Sequence, residues 1–168
     1  MIRLILPLIL FCIMAAGCMK VPSGLHVNVT TSGCTTQGVC PYNDGKPHNW
    51  YDAASREIVV APGQSLVVIA HEACHAHQHQ VILDETGKEP AQVVSSFNAD
   101  AQMADLREWL TTTEAIAYTA VREVAGPAPW GDYGIVLLED FASSCGRFLT
   151  DQPLDAVRGE FFSTRGFK

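Results

Sequence analysis

Residues 67–80, VVIAHEACHAHQHQ, hold four histidines and a glutamate within nine positions, directly after an apolar run. The stretch around them contains no glycine or proline, which predicts a helix over 64–83. On a helix, His71 and His75 lie on the same face one turn apart, with Cβ atoms about 5–6 Å apart. Both imidazoles can therefore reach one Zn²⁺ ion.

The glutamate of this HExxH motif suits a different role. Glu72 lies one step around the helix from His71, close to the metal without being forced to bind it, as suits a base that takes a proton from metal-activated water. We interpret His77 and His79 as solvent-facing or as supports of the ligands, because ligands spread over two turns, about 12 Å, are too far apart for one ion. A chance HExxH on an ordinary amphipathic helix remains the alternative.

A catalytic zinc site needs a third protein ligand and an open position. Two glutamates on predicted helices downstream, Glu114 and Glu139, are candidates, and spacing alone does not choose between them. The metzincin class requires a glycine and then a histidine further along, where this chain has Gln78 and Val81, and is excluded.

Composition predicts one packed domain, and the N-terminal stretch of the sequence predicts an export signal before it. Hydrophobic residues make up 48% and charged residues 17% of the chain, and a net charge of −7 without a basic cluster argues against nucleic acid as a partner. We expect a signal peptide at 1–17, a tether at 18–24 and a single domain at 25–168. The residues AAGC at 15–18 resemble a bacterial lipobox, and a lipid on Cys18 would then be the only membrane contact. Ordinary cleavage to a free secreted protein is the alternative.

Cysteines in an exported chain favour disulfides. Four lie in the expected mature domain: Cys34, Cys40, Cys74 and Cys145. The close spacing of the first two suits a local loop staple, which leaves Cys74 to pair with Cys145 and to join the HExxH helix to the Glu139 helix. The alternative is that Cys74 is a buried free thiol.

The order of predicted elements favours an α+β fold, with a small N-terminal β-sheet packed on a mainly helical body. Strands are predicted at 25–31 and 55–61, with a loop at 32–49. Beyond the HExxH helix, helical patterns cover 91–125 (two helices joined near 95–100 or 109–113), 135–149 and 154–162.

Two stretches together resemble a known family. HEACHAHQ at 71–78 and YGIVLLEDFASSCGRFLTD at 133–151 are similar to the gluzincin metallopeptidases related to anthrax lethal factor. The resemblance implies a zincin-like metallopeptidase body that hydrolyses a peptide or protein with Zn²⁺. It also implies that Glu139 is the third metal ligand and that Tyr133 assists the tetrahedral intermediate.

The resemblance carries one further implication and one departure. It implies that the strand at 55–61 is an edge strand that pairs with extended substrate. The second glutamate of the family's helix motif is Ser143 here, which could support a ligand but carries no charge. We therefore predict an exported zinc metalloendopeptidase, with a zinc-binding but non-hydrolytic surface protein as the alternative and a metal-free structural domain as a third hypothesis.

Overall fold

The computed structural model describes residues 28–31, 34–38, 48–88, 107–130 and 137–167. Its strands are β1 (Asn28–Thr30), β2 (Trp50–Asp52) and β3 (Glu57–Val59), and its helices are α1 (Leu66–Thr86), α2 (Thr113–Ala125), α3 (Leu137–Leu149) and α4 (Ala156–Thr164). A small sheet followed by helices confirms the predicted α+β class. The predicted signal peptide, the tether and Cys18 lie outside the described residues. Within the described ranges, no helix is both long and apolar enough for a membrane crossing.

The sheet has the order β1-β3-β2, which corrects one expectation. β3 pairs in parallel with β1 and antiparallel with β2, with Ile58 opposite both Val29 and Tyr51. The strand at 55–61, expected at an edge, is therefore central, and both of its edges are already paired. β2, which the sequence did not predict, and β1 are the outer strands of this described sheet.

Helix α1 carries the HExxH motif and lies between the sheet and α3. Ala73 and Ile69 on one side pack against Ile58 and Val60 of the sheet region. The helix runs to Thr86, three residues beyond the predicted end, and stops where Gly87 adopts the left-handed conformation at φ 68°. Glycine tolerates this conformation without a steric penalty, so it ends the helix without strain.

Helices α1 and α3 meet at very short range. Gly146 of α3 faces the backbone of His71, where even a Cβ atom would lie only 2.8 Å from the His71 nitrogen. Beside this contact, Cys74 and Cys145 form the predicted disulfide, with Cα atoms 6.2 Å apart, which excludes the free-thiol alternative for Cys74. Cys34 is also disulfide-bonded, but its predicted partner Cys40 lies outside the described residues.

A buried carboxylate fixes α3 against the remaining helices. Asp140 accepts hydrogen bonds from the Tyr118 hydroxyl at 2.7 Å, the Ala128 backbone at 2.8 Å and the Arg122 side chain at 3.2 Å. Arg158 of α4 adds an ion pair with Asp140 at 3.2 Å, and both side chains of this pair are almost fully buried. Because every partner approaches from α2, α4 or the loop after α2, this network sets the rotation of α3 about its axis.

The later helices follow the predictions closely. The helical segment at 107–109 ends in a turn, and α2 begins at Thr113, which confirms a joint near 109–113. The alternative joint at 95–100 lies outside the described residues. α3 falls within the predicted 135–149, and α4 is shifted two residues towards the C-terminus from the predicted 154–162.

Candidate metal centre

Three side-chain atoms converge where α1 crosses α3. The Nε2 atoms of His71 and His75 are 3.0 Å apart. Oε2 of Glu139 lies 3.3 Å from the first and 3.4 Å from the second. The histidines come from successive turns of α1 and the glutamate from the first turn of α3. All three side chains are largely but not fully buried, so one side of the cluster remains open to solvent.

The spacing of these atoms suits a metal ion. Ligand atoms that each lie about 2.0–2.1 Å from zinc at tetrahedral angles are about 3.3–3.4 Å apart. The three measured separations of 3.0, 3.3 and 3.4 Å match that triangle to within a few tenths of an ångström. Two imidazoles and a carboxylate are also a ligand set found in catalytic zinc sites. The donor set and its geometry therefore fit Zn²⁺.

Glu72 lies beside this triangle and is more deeply buried than Glu139. One of its carboxylate oxygens lies within 4.8 Å of a nitrogen of each histidine, close enough for these three residues alone to form a possible metal-binding group. Two carboxylates thus flank the histidine pair. Glu139, from the facing helix, closes the triangle with Oε2, while Glu72 shares the helix of the histidines.

Burial and the charges within the cluster shift the pKa values of its side chains. Burial alone would lower the pKa of His75, but the adjacent Glu139 carboxylate outweighs it and raises that pKa to about 9. Burial likewise opposes ionisation of Glu139, yet the His75 and His71 rings hold its pKa well below the ordinary value. For Glu72, burial dominates over both histidines and raises the pKa. One carboxylate is therefore held as an anion and the other binds a proton more readily.

Hydrogen bonds hold the far side of each histidine ring. His71 Nδ1 lies 3.2 Å from the Ser143 hydroxyl, one turn beyond Glu139 on α3. His75 Nδ1 lies 2.9 Å from Oε1 of Gln78, whose amide nitrogen donates to the Leu138 carbonyl at 2.9 Å. Ser143 thus contacts a candidate ligand, as the sequence allowed. The corresponding contact of Gln78 was not predicted, although its position three residues after His75 on a helix was a usable signal.

The remaining histidines of α1 have partners of their own, and the burial of His79 corrects part of its predicted placement. His77 Nε2 lies 2.9 Å from Glu114 Oε2, and its ring packs against Phe141. Glu114, the rival third ligand, is therefore held by His77. His79 is only 5% exposed, and its Nδ1 lies 2.9 Å from the Tyr51 hydroxyl of β2, so of its two predicted placements, facing solvent or supporting a ligand, the first is wrong.

The structure brings together four of the five predicted site residues: His71, Glu72, His75 and Glu139. The fifth, Tyr133, lies outside the described residues. Comparisons of the chain with protein-family models, curated proteins and solved structures found no significant match.

Proposed function

We propose that this chain is a zinc metallopeptidase with a zincin-like body, in which His71, His75 and Glu139 hold Zn²⁺. The observation that carries the proposal is the convergence of two imidazole nitrogens and one carboxylate oxygen within 3.0–3.4 Å of one another. Three protein ligands leave a position open, as catalytic zinc sites require. When bound, the ion supplies a Lewis acid that polarises the scissile carbonyl group and acidifies water.

The protein's own groups supply the proton transfers. Glu72, buried beside the ligands, takes a proton from the attacking water and later donates it to the leaving amine. Tyr133 is proposed to donate a hydrogen bond to the oxyanion. The substrate is a peptide or protein, and because both edges of β3 are paired, extended substrate would have to pair with another strand.

The substitution Glu72→Gln tests the proposal, because it keeps the shape of the side chain and removes the base. The variant should retain zinc and lose at least about 100-fold in hydrolysis of a peptide library, the lower end of what general-base catalysis contributes. Glu123→Gln, a matched change at an exposed position of α2, should leave both zinc content and hydrolysis unchanged. Equal hydrolysis by Glu72→Gln and the wild type would refute the proposed role.

A zinc-binding, non-hydrolytic surface protein of the same fold is the second candidate. The observation that favours it is Ser143, an uncharged group that supports His71 where the resembled family has a glutamate. Casein or a peptide library, digested with and without a chelator, separates the two candidates. Cleavage that the chelator abolishes supports the peptidase, and zinc binding without any cleavage supports the second candidate.

We also propose that the protein is exported, either anchored by a lipid on Cys18 or released. The Cys74–Cys145 disulfide supports export, because disulfides persist in oxidising compartments. Membrane fractionation of the full chain and of Cys18→Ala tests the anchor. Loss of the variant from the membrane fraction is expected, and equal retention of both proteins would contradict lipidation.

A further inference from the structure

One buried amide lies between a metal ligand and the opposite helix. Gln78 is only 2% exposed and sits on α1 three residues after His75. Its two polar atoms have separate partners: Oε1 lies 2.9 Å from His75 Nδ1, and Nε2 donates to the Leu138 carbonyl at 2.9 Å. Leu138 directly precedes Glu139, so the Gln78 side chain bonds to one proposed ligand, His75, and to the residue next to another, Glu139.

The chemistry of these partners fixes the direction of both bonds. A backbone carbonyl oxygen can only accept, so the amide nitrogen must face Leu138 and the amide oxygen must face His75. An amide oxygen can also only accept, so His75 must carry a proton on Nδ1. In the neutral ring, the lone pair then lies on Nε2, the atom that is 3.4 Å from Glu139 Oε2.

We infer that Gln78 is a positioning residue for the proposed zinc site: it holds His75 in the tautomer and orientation that present Nε2 to the metal. In many metal sites a carboxylate, a carbonyl or water holds the far nitrogen of a ligating histidine, and here a glutamine amide takes that place. The same amide also ties the His75 side of α1 to the start of α3. The inference rests on the proposed metal site but does not depend on peptide hydrolysis.

Three variants separate orientation of His75 from structural support. Gln78→Met keeps the approximate volume and removes both hydrogen bonds. Gln78→Glu keeps an acceptor for His75 and removes the donor to Leu138. Gln80→Met is the matched control on the same helix, because Gln80 is half-buried and its bonds go to Arg56 and Asp84 at the protein surface.

The measurement is the Kd for zinc, determined by competition with a chelating dye. Loss of a hydrogen bond to a metal ligand weakens metal binding by about 10–100-fold, which is the effect expected for Gln78→Met. Gln78→Glu should bind zinc at least as tightly as the wild type, and Gln80→Met within about twofold of it. Equal weakening of zinc binding in both Gln78 variants would assign the effect to the lost Leu138 hydrogen bond. Unchanged zinc binding in Gln78→Met would show that neither hydrogen bond of Gln78 affects the site. Either result overturns the inference.

A measurement on the wild type covers the case in which Gln78→Met fails to fold. Nitrogen-15 NMR of the zinc-loaded protein should show a slowly exchanging proton on His75 Nδ1 and coordination through Nε2. Rapid exchange of that proton, or coordination through Nδ1, overturns the inference. A wild type that binds no zinc overturns both proposals, whereas zinc binding without hydrolysis refutes only the peptidase.

Discussion

Gly146 lies so close to His71 that the two helices carrying the proposed metal ligands touch backbone to backbone. A Cβ atom at position 146 would lie 2.8 Å from the His71 nitrogen and 3.0 Å from its Cα. Real Cβ atoms do not approach backbone this closely, so any side chain here must push α3 away from α1. Because Glu139 lies on α3 and His71 on α1, this contact sets the separation of the proposed ligands.

The substitution Gly146→Ala should therefore damage stability and metal binding together. Overpacking of a close contact lowers the free energy of unfolding by about 1–3 kcal/mol, measured by urea unfolding of the metal-free protein. Zinc affinity should fall as well, because Glu139 moves away from the histidines.

Gly159 of α4 provides the matched control, since a Cβ atom there would meet no atom within 4 Å beyond the adjacent residues and backbone of its own helix, among the described residues. Gly159→Ala should raise the free energy of unfolding by about 0.5–1 kcal/mol, because alanine favours a helix interior, and should leave zinc binding unchanged. If Gly146→Ala behaved like this control, the proposed role of the contact would be wrong.

Ser143 should affect zinc affinity through its hydrogen bond with His71. With Nε2 facing the metal, Nδ1 donates to the Ser143 hydroxyl at 3.2 Å. Ser143→Ala removes that acceptor, and we expect zinc affinity to fall by about tenfold, the lower end for loss of a ligand-supporting hydrogen bond. Ser163→Ala in α4 is the control, because the Ser163 hydroxyl donates to the Glu160 carbonyl of its own helix at 2.9 Å. Identical zinc affinities in the two variants would count against the support role.

The Cys74–Cys145 disulfide joins positions 71 residues apart in sequence. By the chain-entropy model, a loop of this length stabilises the fold by about 4 kcal/mol. The double substitution Cys74→Ala and Cys145→Ala should lower the free energy of unfolding by about that amount, measured by urea unfolding without reductant. A double variant as stable as the wild type, or free thiols at both positions in a non-reducing peptide map, would contradict the assignment.

Asp155 links stability to pH at the start of α4. Its carboxylate accepts from the Arg158 backbone at 2.9 Å and from the Arg158 guanidinium at 2.7 Å. Partial burial would raise the pKa of Asp155, but these hydrogen bonds outweigh it and lower the pKa below the ordinary 3.8. A lowered pKa stabilises the fold above the unfolded-state pKa, and this contribution is lost as the pH falls through the folded-state pKa.

Asp155→Asn should therefore show a pH-dependent defect. Asparagine still caps the helix but loses the ion pair, so the variant should be less stable by about 0.5–1 kcal/mol at pH 7. This difference should shrink as the pH falls below about 4, where the unfolded-state carboxylate takes up a proton, and shrink further until the folded-state carboxylate is protonated as well. Urea unfolding at several pH values measures it, and a gap that widens on acidification would show that the sign is wrong.

The sequence predicted the parts of this protein that depend on local patterns. The HExxH helix, the joint near 109–113 and the helix carrying Glu139 each follow from periodicity and from breaks at glycine, proline or polar clusters. The Cys74–Cys145 pairing followed from counting cysteines. The proposed third ligand could not be predicted from residue patterns alone. Spacing left Glu114 and Glu139 as equal candidates, and only the family resemblance favoured Glu139.

The features that were missed depend on contacts between distant segments. β2 covers only three residues, too few to show alternation, and follows a stretch of sequence rich in proline and glycine. It forms through pairing with β3. The contact of His79 with Tyr51 was not predicted, because Tyr51 lies on that unpredicted strand. No role was predicted for Asp140, because the partners of its carboxylate come from other elements. Tertiary packing decides such roles.

The most direct test of the central claim is an anomalous difference map collected at the zinc absorption edge from crystals of the mature protein. The account predicts one strong peak within about 2.0–2.2 Å of His71 Nε2, His75 Nε2 and a Glu139 carboxylate oxygen. A map without a peak at the histidines, or a peak whose third ligand is Glu72 or Glu114 in place of Glu139, would contradict it.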